Sequence, residues 1–309
     1  MSATEHSLST PLELSLGPCL FNWSAERLLE FYRRIAAEAP VDRVYLGEVV
    51  CGKRMPFNDP VWPEAIDILE KKAGKDVVLS TLAQPVNKRE RQILREQAGY
   101  DLAIEINDMS MLPACSGREF AAGPLLNVYN EATLAFLAER GAVAWCPPVE
   151  LPLDAIQKIA ALVPQVEVEL FAFGRLPLAL SSRCYHARAH GLRKDSCQFV
   201  CDQDPDGMDV ATLDGRSFLA ANGIQTLSDA CHFAGLASGH LQALGVRRLR
   251  LSPHTVDMVE VSGLFRRFLD GAIDAEEFET GLGALDLPGP LCNAYLSGEA
   301  GWKRTVIPA

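Results

Sequence analysis

Short apolar runs alternate with amphipathic segments through most of the chain. Eight of these runs lack strict alternation of polar and apolar residues, which is typical of parallel strands buried on both faces. The eight predicted strands cover residues 13–19, 43–50, 76–82, 102–107, 123–129, 142–147, 166–173 and 247–253. The pattern therefore predicts a mainly parallel sheet.

Helices are predicted between the strands, where apolar residues recur at helical spacing. In the first, Ser24 can cap a helix over residues 25–37, whose Leu28, Tyr32 and Ile35 share one face. The other predicted helices cover residues 63–73, 88–98, 131–140, 152–162, 229–244 and 256–269. Alternating strands and helices indicate an α/β fold.

Eight repeats of strand and helix indicate closure into a (β/α)8 barrel of the TIM-barrel type. The alternative is an open, doubly wound sheet, which would favour G-x-G-x-x-G after the first strand, and that motif does not occur there. One connection is exceptional: an insertion at about residues 174–228 follows the seventh predicted strand. Long insertions in compact domains are usually functional or disordered. This one would emerge at the C-terminal mouth of the barrel, where barrel enzymes carry their chemistry.

The chain thus divides into three predicted parts. Residues 1–12 form a flexible N-terminus, residues 13–270 the barrel with its insertion, and residues 271–309 a short C-terminal appendage. A length of 309 residues suits such a domain organisation.

The net charge of −11 argues against a nucleic-acid partner, since such proteins usually carry a basic face. The N-terminal residues show no basic segment followed by an apolar one, so we expect no secretion signal. No apolar run is long enough to span a membrane. We therefore expect a cytoplasmic protein whose nine cysteines are ligands, catalysts or core residues rather than disulfides.

Three cysteines lie close together in the insertion, within residues 181–201. Cys197 and Cys201 are four residues apart, so one turn of helix would place them on the same face. Basic residues separate them from Cys184, and positive charge favours the thiolate form of cysteine. The three residues suggest a metal site that lacks one ligand.

The fourth ligand is sought among cysteines that end predicted strands, because these face the same mouth as the insertion. Cys19 and Cys146 have apolar surroundings typical of core residues, whereas Cys51 is followed by glycine and then by Lys53 and Arg54. This context favours Cys51. Four spaced thiolates fit an iron–sulfur cluster or a structural zinc ion. The spacing favours the cluster but leaves zinc, or no metal at all, as alternatives.

Other polar residues follow the predicted strands. Glu48 and Glu150 are candidates for acid–base catalysis, or they simply hydrogen-bond neighbouring loops. Tyr129 and Asn130 end the fifth predicted strand and could contact substrate, although Asn130 is equally suited to capping a helix.

Charged residues also flank the cysteines. Arg54 and Arg183 could bind an anionic substrate, or they could balance the charge of the thiolates. His186 and His190 lie just after Cys184, where they could bind a metal or a substrate carboxylate, or be solvated.

Residues 167–184, EVELFAFGRLPLALSSRC, resemble a signature of the collagenase-like peptidase (U32-type) family of bacterial barrel proteins. That signature reads Glu-x-Phe-x-His-Gly-Ala-Met-Cys-x-x-Tyr-Ser-Gly-x-Cys. Here Phe173 stands in place of its histidine and Pro177 in place of its first cysteine. The segments YLGEVVCGKR, WCPPVEL, NGIQTLS and RLSP are similar to one branch of the family, which serves oxygen-independent ubiquinone biosynthesis.

The resemblance implies a [4Fe–4S] cluster bound by Cys51, Cys184, Cys197 and Cys201, with Cys51 replacing the lost ligand. It implies a heterodimer with a homologous, UbiU-like subunit that hydroxylates the ubiquinone precursor ring without O2, with prephenate as oxygen donor. Lipid-carrier or other ubiquinone-biosynthesis proteins would be further partners.

Two alternatives remain open. Relatives in the same family hydroxylate RNA bases, and the losses at Phe173 and Pro177 also suit a non-catalytic scaffold that carries the cluster for its partner. Protease activity is not expected, because neither G-x-S-x-G nor H-E-x-x-H occurs.

Overall fold

A closed barrel of parallel strands forms the centre of the protein, as seen in a computed structural model that describes residues 11–306. The strands of this part of the chain are β1 (Glu13–Leu16), β2 (Arg43–Leu46), β3 (Asp76–Ser80), β4 (Ala103–Ile106), β5 (Phe120–Ala122), β6 (Ala142–Trp145), β7 (Glu167–Leu180), β8 (Met208–Ala211), β9 (Ser217–Asn222), β10 (Gln225–Phe233), β11 (Val246–Leu251) and β12 (Leu291–Cys292). Strands β1 to β7 pair in sequence order and in parallel, and β11 pairs in parallel with both β7 and β1. The predicted eight-stranded (β/α)8 barrel is confirmed.

Helices cover the outside of the barrel. Those in the described chain are α1 (Ala25–Glu38), α2 (Met55–Asn58), α3 (Trp62–Ile66), α4 (Lys88–Gln97), α5 (Glu131–Ala138), α6 (Leu153–Leu162), α7 (Tyr185–Ala189), α8 (Ser238–Ala243), α9 (Met258–Leu269) and α10 (Ala275–Gly283), with a π-helical turn at Asp67–Lys72. In α1 the Ser24 side chain accepts a hydrogen bond from the Arg27 N–H, and Leu28, Tyr32 and Ile35 are buried, as predicted. None of the helices between residues 11 and 306 is long and apolar enough to cross a membrane.

The prediction for the fifth strand was wrong. Strand β5 is Phe120–Ala122, and the predicted residues 123–129 instead form a 3-10 turn at Pro124–Leu126, followed by Asn127 in the left-handed region with φ 58°. Proline has no N–H to donate to a strand ladder, so Pro124 ends the strand. Tyr129 and Asn130 therefore follow a turn rather than a strand.

The helix predicted over residues 229–244 was also wrong. Residues 225–233 form β10, and the helix is limited to α8. Strand β7 continues beyond the barrel to Leu180, and β10 pairs antiparallel with it and with β9. Strands β7 and β9 form backbone hydrogen bonds with both edges of β10. This pairing outweighs the helical pattern of its sequence.

The insertion is therefore a β-flap with an irregular segment attached to it. The long β7 and the returning β10, β9 and β8 form an antiparallel sheet over the barrel mouth. Residues 181–207, between β7 and β8, contain α7 and the three clustered cysteines. The C-terminal segment packs against the barrel, since β12 pairs with β10 and Phe278 of α10 stacks on Phe268 of α9 with ring centroids 4.5 Å apart. The predicted N-terminal segment lies almost entirely outside the described residues.

Charged side chains fill part of the barrel interior. Arg250 is 3% exposed, and it lies 2.5 Å from the Glu105 carboxylate and 2.9 Å from that of Glu169. Glu169 also accepts hydrogen bonds from Ser15 and Tyr45. Although burial alone would raise it, Arg250, the charge of Arg248 and the Ser15 hydrogen bond lower the pKa of Glu169 to about 2. The network joins barrel strands that are far apart in sequence through two carboxylates and one guanidinium.

Replacing Glu169 should destabilise the barrel, because Glu169→Gln removes a buried charge that balances Arg250. We expect the free energy of unfolding to fall by about 3–5 kcal/mol in chemical denaturation at neutral pH. The lowered pKa means that this stabilisation is present above the ordinary pKa of 4.5 and is lost as the pH falls toward 2.

Glu30→Gln is the control for Glu169→Gln, since the Glu30–Arg33 pair is exposed and 3.7 Å long. It should change stability by no more than about 1 kcal/mol. Equal effects of the two variants would show that the interior network does not stabilise the barrel.

Candidate metal centre

The turn after β2 carries Cys51, and Glu48 sets its shape. One carboxylate oxygen of Glu48 accepts hydrogen bonds from the Val50 and Cys51 N–H groups, both at 2.9 Å, and the other accepts one from Asn58 Nδ2 at 3.0 Å. Gly47 begins the turn with φ 130°, and a Cβ there would lie 2.2 Å from the Ser80 carbonyl oxygen. Glu48 is thus placed to hold the Cys51 loop, and the proposed catalytic role for it stays a prediction.

Arg54 connects this loop to the insertion. Its side chain is 1% exposed; Nη1 donates to the Leu20 carbonyl at 3.0 Å and Nη2 to Asn222 Oδ1 at 2.7 Å. Burial alone would lower its pKa, but the charges of Glu48, Cys201 and Cys51 raise it. The guanidinium stays charged and links the loops after β1 and β2 to the end of β9.

The three cysteines of the insertion lie in two kinds of local structure: one at the start of a helix, two at 3-10 turns. Cys184 caps α7, and its Sγ accepts a hydrogen bond from the Ala187 N–H at 3.3 Å. Cys197 and Cys201 do not share the single helical turn that their spacing predicted. Cys197 directly follows a 3-10 turn at Lys194–Ser196, and Cys201 lies in a second one at Val200–Asp202; Gln198 and Phe199 between them have φ 51° and 56°.

This conformation is unusual for residues other than glycine and costs on the order of 1–3 kcal/mol per residue. It reverses the chain so that Cys197 and Cys201 border the same space. The surrounding contacts must stabilise it, including the Phe199 ring, which packs edge-on against Phe57 at 4.8 Å and lies below Lys53 Nζ at 5.6 Å.

The four predicted cysteines converge on one small cavity, called here the thiol cavity. It is lined by Cys51, Cys184, Cys197 and Cys201, together with Lys53, Arg54, His186, Lys194, Phe199, Val200 and Gly223. Lys53 Nζ lies 3.5 Å from Cys197 Sγ, and Asn22 Nδ2 donates to Cys201 Sγ at 3.4 Å. Three basic side chains thus face four thiols.

Burial raises the pKa of the Cys51 and Cys184 thiols, while the charge of Arg54 acts in the opposite direction. Burial is also the largest cause of the pKa shift in two core cysteines. Burial raises the pKa of Cys19 to about 12 and that of Cys146 well above its usual range. Neither lines the thiol cavity; Cys19 belongs to the main hydrophobic core and Cys146 to a smaller cluster.

A larger cavity of about 640 Å³, called here the mouth cavity, opens at the C-terminal ends of β3 to β7. Tyr129 and Glu150 lie in its wall, and the Tyr129 hydroxyl donates a hydrogen bond to the Glu150 carboxylate. Burial and the Glu150 charge raise the pKa of Tyr129 to about 12, so the hydroxyl keeps its proton at neutral pH. The pair offers a proton-bearing and a proton-accepting group side by side.

Two predicted substrate contacts are placed elsewhere. Asn130 caps α5, where its Oδ1 accepts a hydrogen bond from the Thr133 N–H at 2.8 Å. Arg183 is exposed after β7 and is not among the residues that line either cavity. Of the predicted substrate contacts, Tyr129 lies in the mouth cavity and Arg54 in the wall of the thiol cavity.

One hydrophobic cluster borders both cavities. Ala83, Leu125 and Leu180 line the mouth cavity and pack in the same hydrophobic cluster as Cys51 and Cys184. The thiol cavity and the mouth cavity therefore adjoin the same group of apolar side chains.

The sequence reasoning missed Asn22 and Asn222, which contact Cys201 and Arg54. A faint signal was present for Asn22, a single polar residue within the apolar stretch GPCLFNW. Asn222 precedes Gly223, and that dipeptide indicates only a turn. Its role depends on pairing between distant segments.

Fold and site together define an α/β-barrel protein with a cluster of four thiols at the C-terminal mouth of the barrel. The pattern of peptidase family U32 matches residues 32–286, and the chain belongs to this family.

Similar solved structures include a tryptophan synthase complex from Pyrococcus furiosus, with 12% identity, 94% of this chain and 100% of that chain covered, and a TM-score of 0.39. A mutant tryptophan synthase alpha-subunit from the same organism has 9% identity, covers 93% of this chain and 98% of its own, and has a TM-score of 0.39. We draw no conclusion from structural similarity this low. The barrel is established by the strand order of this chain.

Replacing Glu48 distinguishes its structural role from a catalytic one. Glu48→Gln leaves one acceptor oxygen where the carboxylate has two and removes the charge opposite Arg54, so the Cys51 loop should open more often. In the reduced, metal-free chain we expect alkylation of Cys51 to accelerate at least about tenfold, which corresponds to about 1.4 kcal/mol. Mass spectrometry of the modified peptide measures the rate.

The exposed Glu64 provides the control, and Glu64→Gln should leave the Cys51 rate unchanged. If Glu48→Gln abolished the ring hydroxylation expected from the sequence without changing the rate of Cys51 alkylation, the catalytic role of Glu48 would be favoured instead.

Proposed function

We propose that Cys51, Cys184, Cys197 and Cys201 hold a [4Fe–4S] cluster, and that the protein is the UbiV-type subunit of an O2-independent hydroxylase acting on the ubiquinone precursor ring. The observation that carries the proposal is the convergence of these four thiols on one cavity beside the barrel mouth. Residues from the β2 loop and from the insertion, far apart in sequence, would complete one ligand set.

The donor set suits a cluster better than a single zinc ion. A zinc ion held by four thiolates binds each sulfur at about 2.3 Å, which brings the sulfurs within about 4 Å of one another. Among the described residues, three metal-binding atoms all within 4.8 Å of one another are found at His186, His190 and Asp204, and not among the thiols. Thiols spaced more widely than this suit a multinuclear group better than one zinc ion.

When bound, a cluster would supply one-electron redox chemistry at this position. The residues around it would tune that chemistry, because hydrogen bonds to sulfur and nearby charge alter the reduction potential. Asn22 donates to Cys201, Lys53 approaches Cys197, and the buried Arg54 adds a fixed positive charge. All three would offset the negative charge of the thiolates.

The mouth cavity is the proposed place for the ring. Its volume of about 640 Å³ lies in the range of small-molecule sites. Tyr129 and Glu150 could orient a ring hydroxyl through one donated and one accepted hydrogen bond. Ala83, Leu125 and Leu180 line this space and pack in the cluster that contains Cys51 and Cys184, so the proposed ring site would adjoin the thiol cavity.

The resemblance to the ubiquinone branch provides the remaining parts of the proposal. A UbiU-like subunit would be the partner in a heterodimer, and prephenate would supply the hydroxyl oxygen in place of O2. The net charge of −11 favours a small-molecule substrate over RNA.

A scaffold role is the second candidate, and the surroundings of Phe173 favour it. Phe173 is fully buried, with its ring centroid 6.2 Å from those of His254 and Phe265, so the position where the family signature has histidine is part of the core. In that case the partner subunit would contain the reacting groups.

Iron analysis tests the ligand set. The anaerobically purified chain should be brown, contain roughly four irons per molecule, and lose most of its iron when any of the four cysteines is replaced by Ala. Cys19→Ala is the control, since the Cys19 side chain is buried in the main hydrophobic core and does not line the thiol cavity. Full iron in Cys51→Ala together with iron loss in Cys19→Ala or Cys146→Ala would show that the ligand assignment is wrong.

Activity of the heterodimer tests the mouth cavity. Glu150→Gln should lower kcat/KM for ring hydroxylation by about 100-fold or more under O2-free conditions, because it removes an acid–base group. Iron content should stay unchanged, and Glu139→Gln at the exposed end of α5 should be fully active. Full activity of Glu150→Gln, with inactive cysteine variants, would support the scaffold role.

A further inference from the structure

A second group of metal-binding side chains lies next to the thiol cavity. His186, His190 and Asp204 each offer one ligand atom, and these three atoms lie within 4.8 Å of one another. His186 and His190 are four residues apart across α7, and their rings stack with centroids 5.5 Å apart and planes 8° apart. Asp204 comes from a different segment, between Cys201 and β8.

The surroundings of His186 point to a cation. The side chain is completely buried, and its Nδ1 lies 3.2 Å from the Ala221 carbonyl oxygen. A carbonyl only accepts hydrogen bonds, so Nδ1 carries the proton and Nε2 of a neutral ring presents a lone pair. Nε2 lies 2.9 Å from the Asp204 carboxylate, but the two are not aligned as in a hydrogen bond. A nitrogen and a carboxylate this close share either a proton or a metal ion, and His190 supplies a third ligand atom that a shared proton would not require.

The three donors match the preferences of zinc and similar ions. Imidazole nitrogen combined with one carboxylate is typical of zinc sites and unlike the all-oxygen sites of calcium or magnesium. His190 is exposed and Asp204 is one-third exposed, so one side of the group faces water. Three protein ligands with water in the fourth position form an open zinc site.

We propose that His186, His190 and Asp204 bind one divalent ion of the zinc type, with water completing its coordination. None of the three is a cysteine of the thiol cavity, so the two ligand sets are separate, although the His186 side chain also lines that cavity. An ion at this site would also connect two segments of the insertion. The ion would join α7, which begins after Cys184, to the segment that follows Cys201.

Zinc binding to the full-length chain tests the proposal. Calorimetric titration with Zn²⁺ should show one site, and zinc-edge X-ray absorption should show nitrogen and oxygen at about 2.0–2.1 Å with no sulfur near 2.3 Å. His190→Asn and Asp204→Asn should each weaken binding by roughly 100-fold or more. Both residues are at the surface, so folding should be preserved, which circular dichroism checks. The control His240→Asn, in helix α8 and outside this group, should bind as wild type.

Three results would overturn the proposal. Absence of zinc binding would show that His186 and Asp204 instead share a proton. Sulfur in the zinc coordination shell would place the ion in the thiol cavity. Unchanged affinity in His190→Asn and Asp204→Asn would place it elsewhere. These experiments measure zinc binding only. Their outcome is therefore distinguishable from that of the iron analysis, which tests the cluster.

Discussion

The buried guanidinium of Arg54 must have its charge and its hydrogen bonds satisfied where three chain segments meet. The Glu48 carboxylate lies 3.9 Å away, and the Leu20 carbonyl and the Asn222 side chain accept its hydrogen bonds. Breaking a buried ion pair on one side is strongly destabilising, by about 3–5 kcal/mol, because the other charge is left uncompensated. The Cys51 loop and the insertion are thus held together by an interaction whose loss would destabilise both.

That connection explains how a ligand set can be assembled from distant parts of the chain. Glu48 binds the N–H groups of the Cys51 loop on one side and faces Arg54 on the other. Arg54 then reaches the end of β9 next to Gly223, where a Cβ would lie 2.7 Å from its Nη2. The charges that fix the loop are the same charges that surround the thiols. Folding of the mouth thus also brings together the four thiols of the proposed metal centre.

The barrel could be predicted from the sequence because its buried strands and amphipathic helices are local patterns. Strand β10 could not, since residues 225–233 take their conformation from pairing with the extended β7 and with β9. The four converging cysteines could be proposed from strand ends and neighbouring cations. Their local geometry could not, because Gln198 and Phe199 adopt left-handed backbone that non-glycine residues rarely show. Such a conformation is imposed by tertiary contacts and leaves no signal in composition.

The two departures from the family signature have different structural settings. Phe173 fills the core, where its ring packs against His254 and Phe265. Pro177 lies on β7 beside irregular pairing with β10, a position that tolerates the missing N–H. It also lines the mouth cavity rather than the thiol cavity. A cysteine at position 177 would therefore border the mouth cavity, whereas Cys51, in the loop after β2, lines the thiol cavity.

Crystals of the anaerobically purified chain, measured at the iron absorption edge, test the central claim most directly. An anomalous difference map should show one compact iron peak in the thiol cavity, bonded to the sulfur atoms of Cys51, Cys184, Cys197 and Cys201. A cavity without iron, a single zinc ion bound to the thiols, or iron bound by other residues would contradict it.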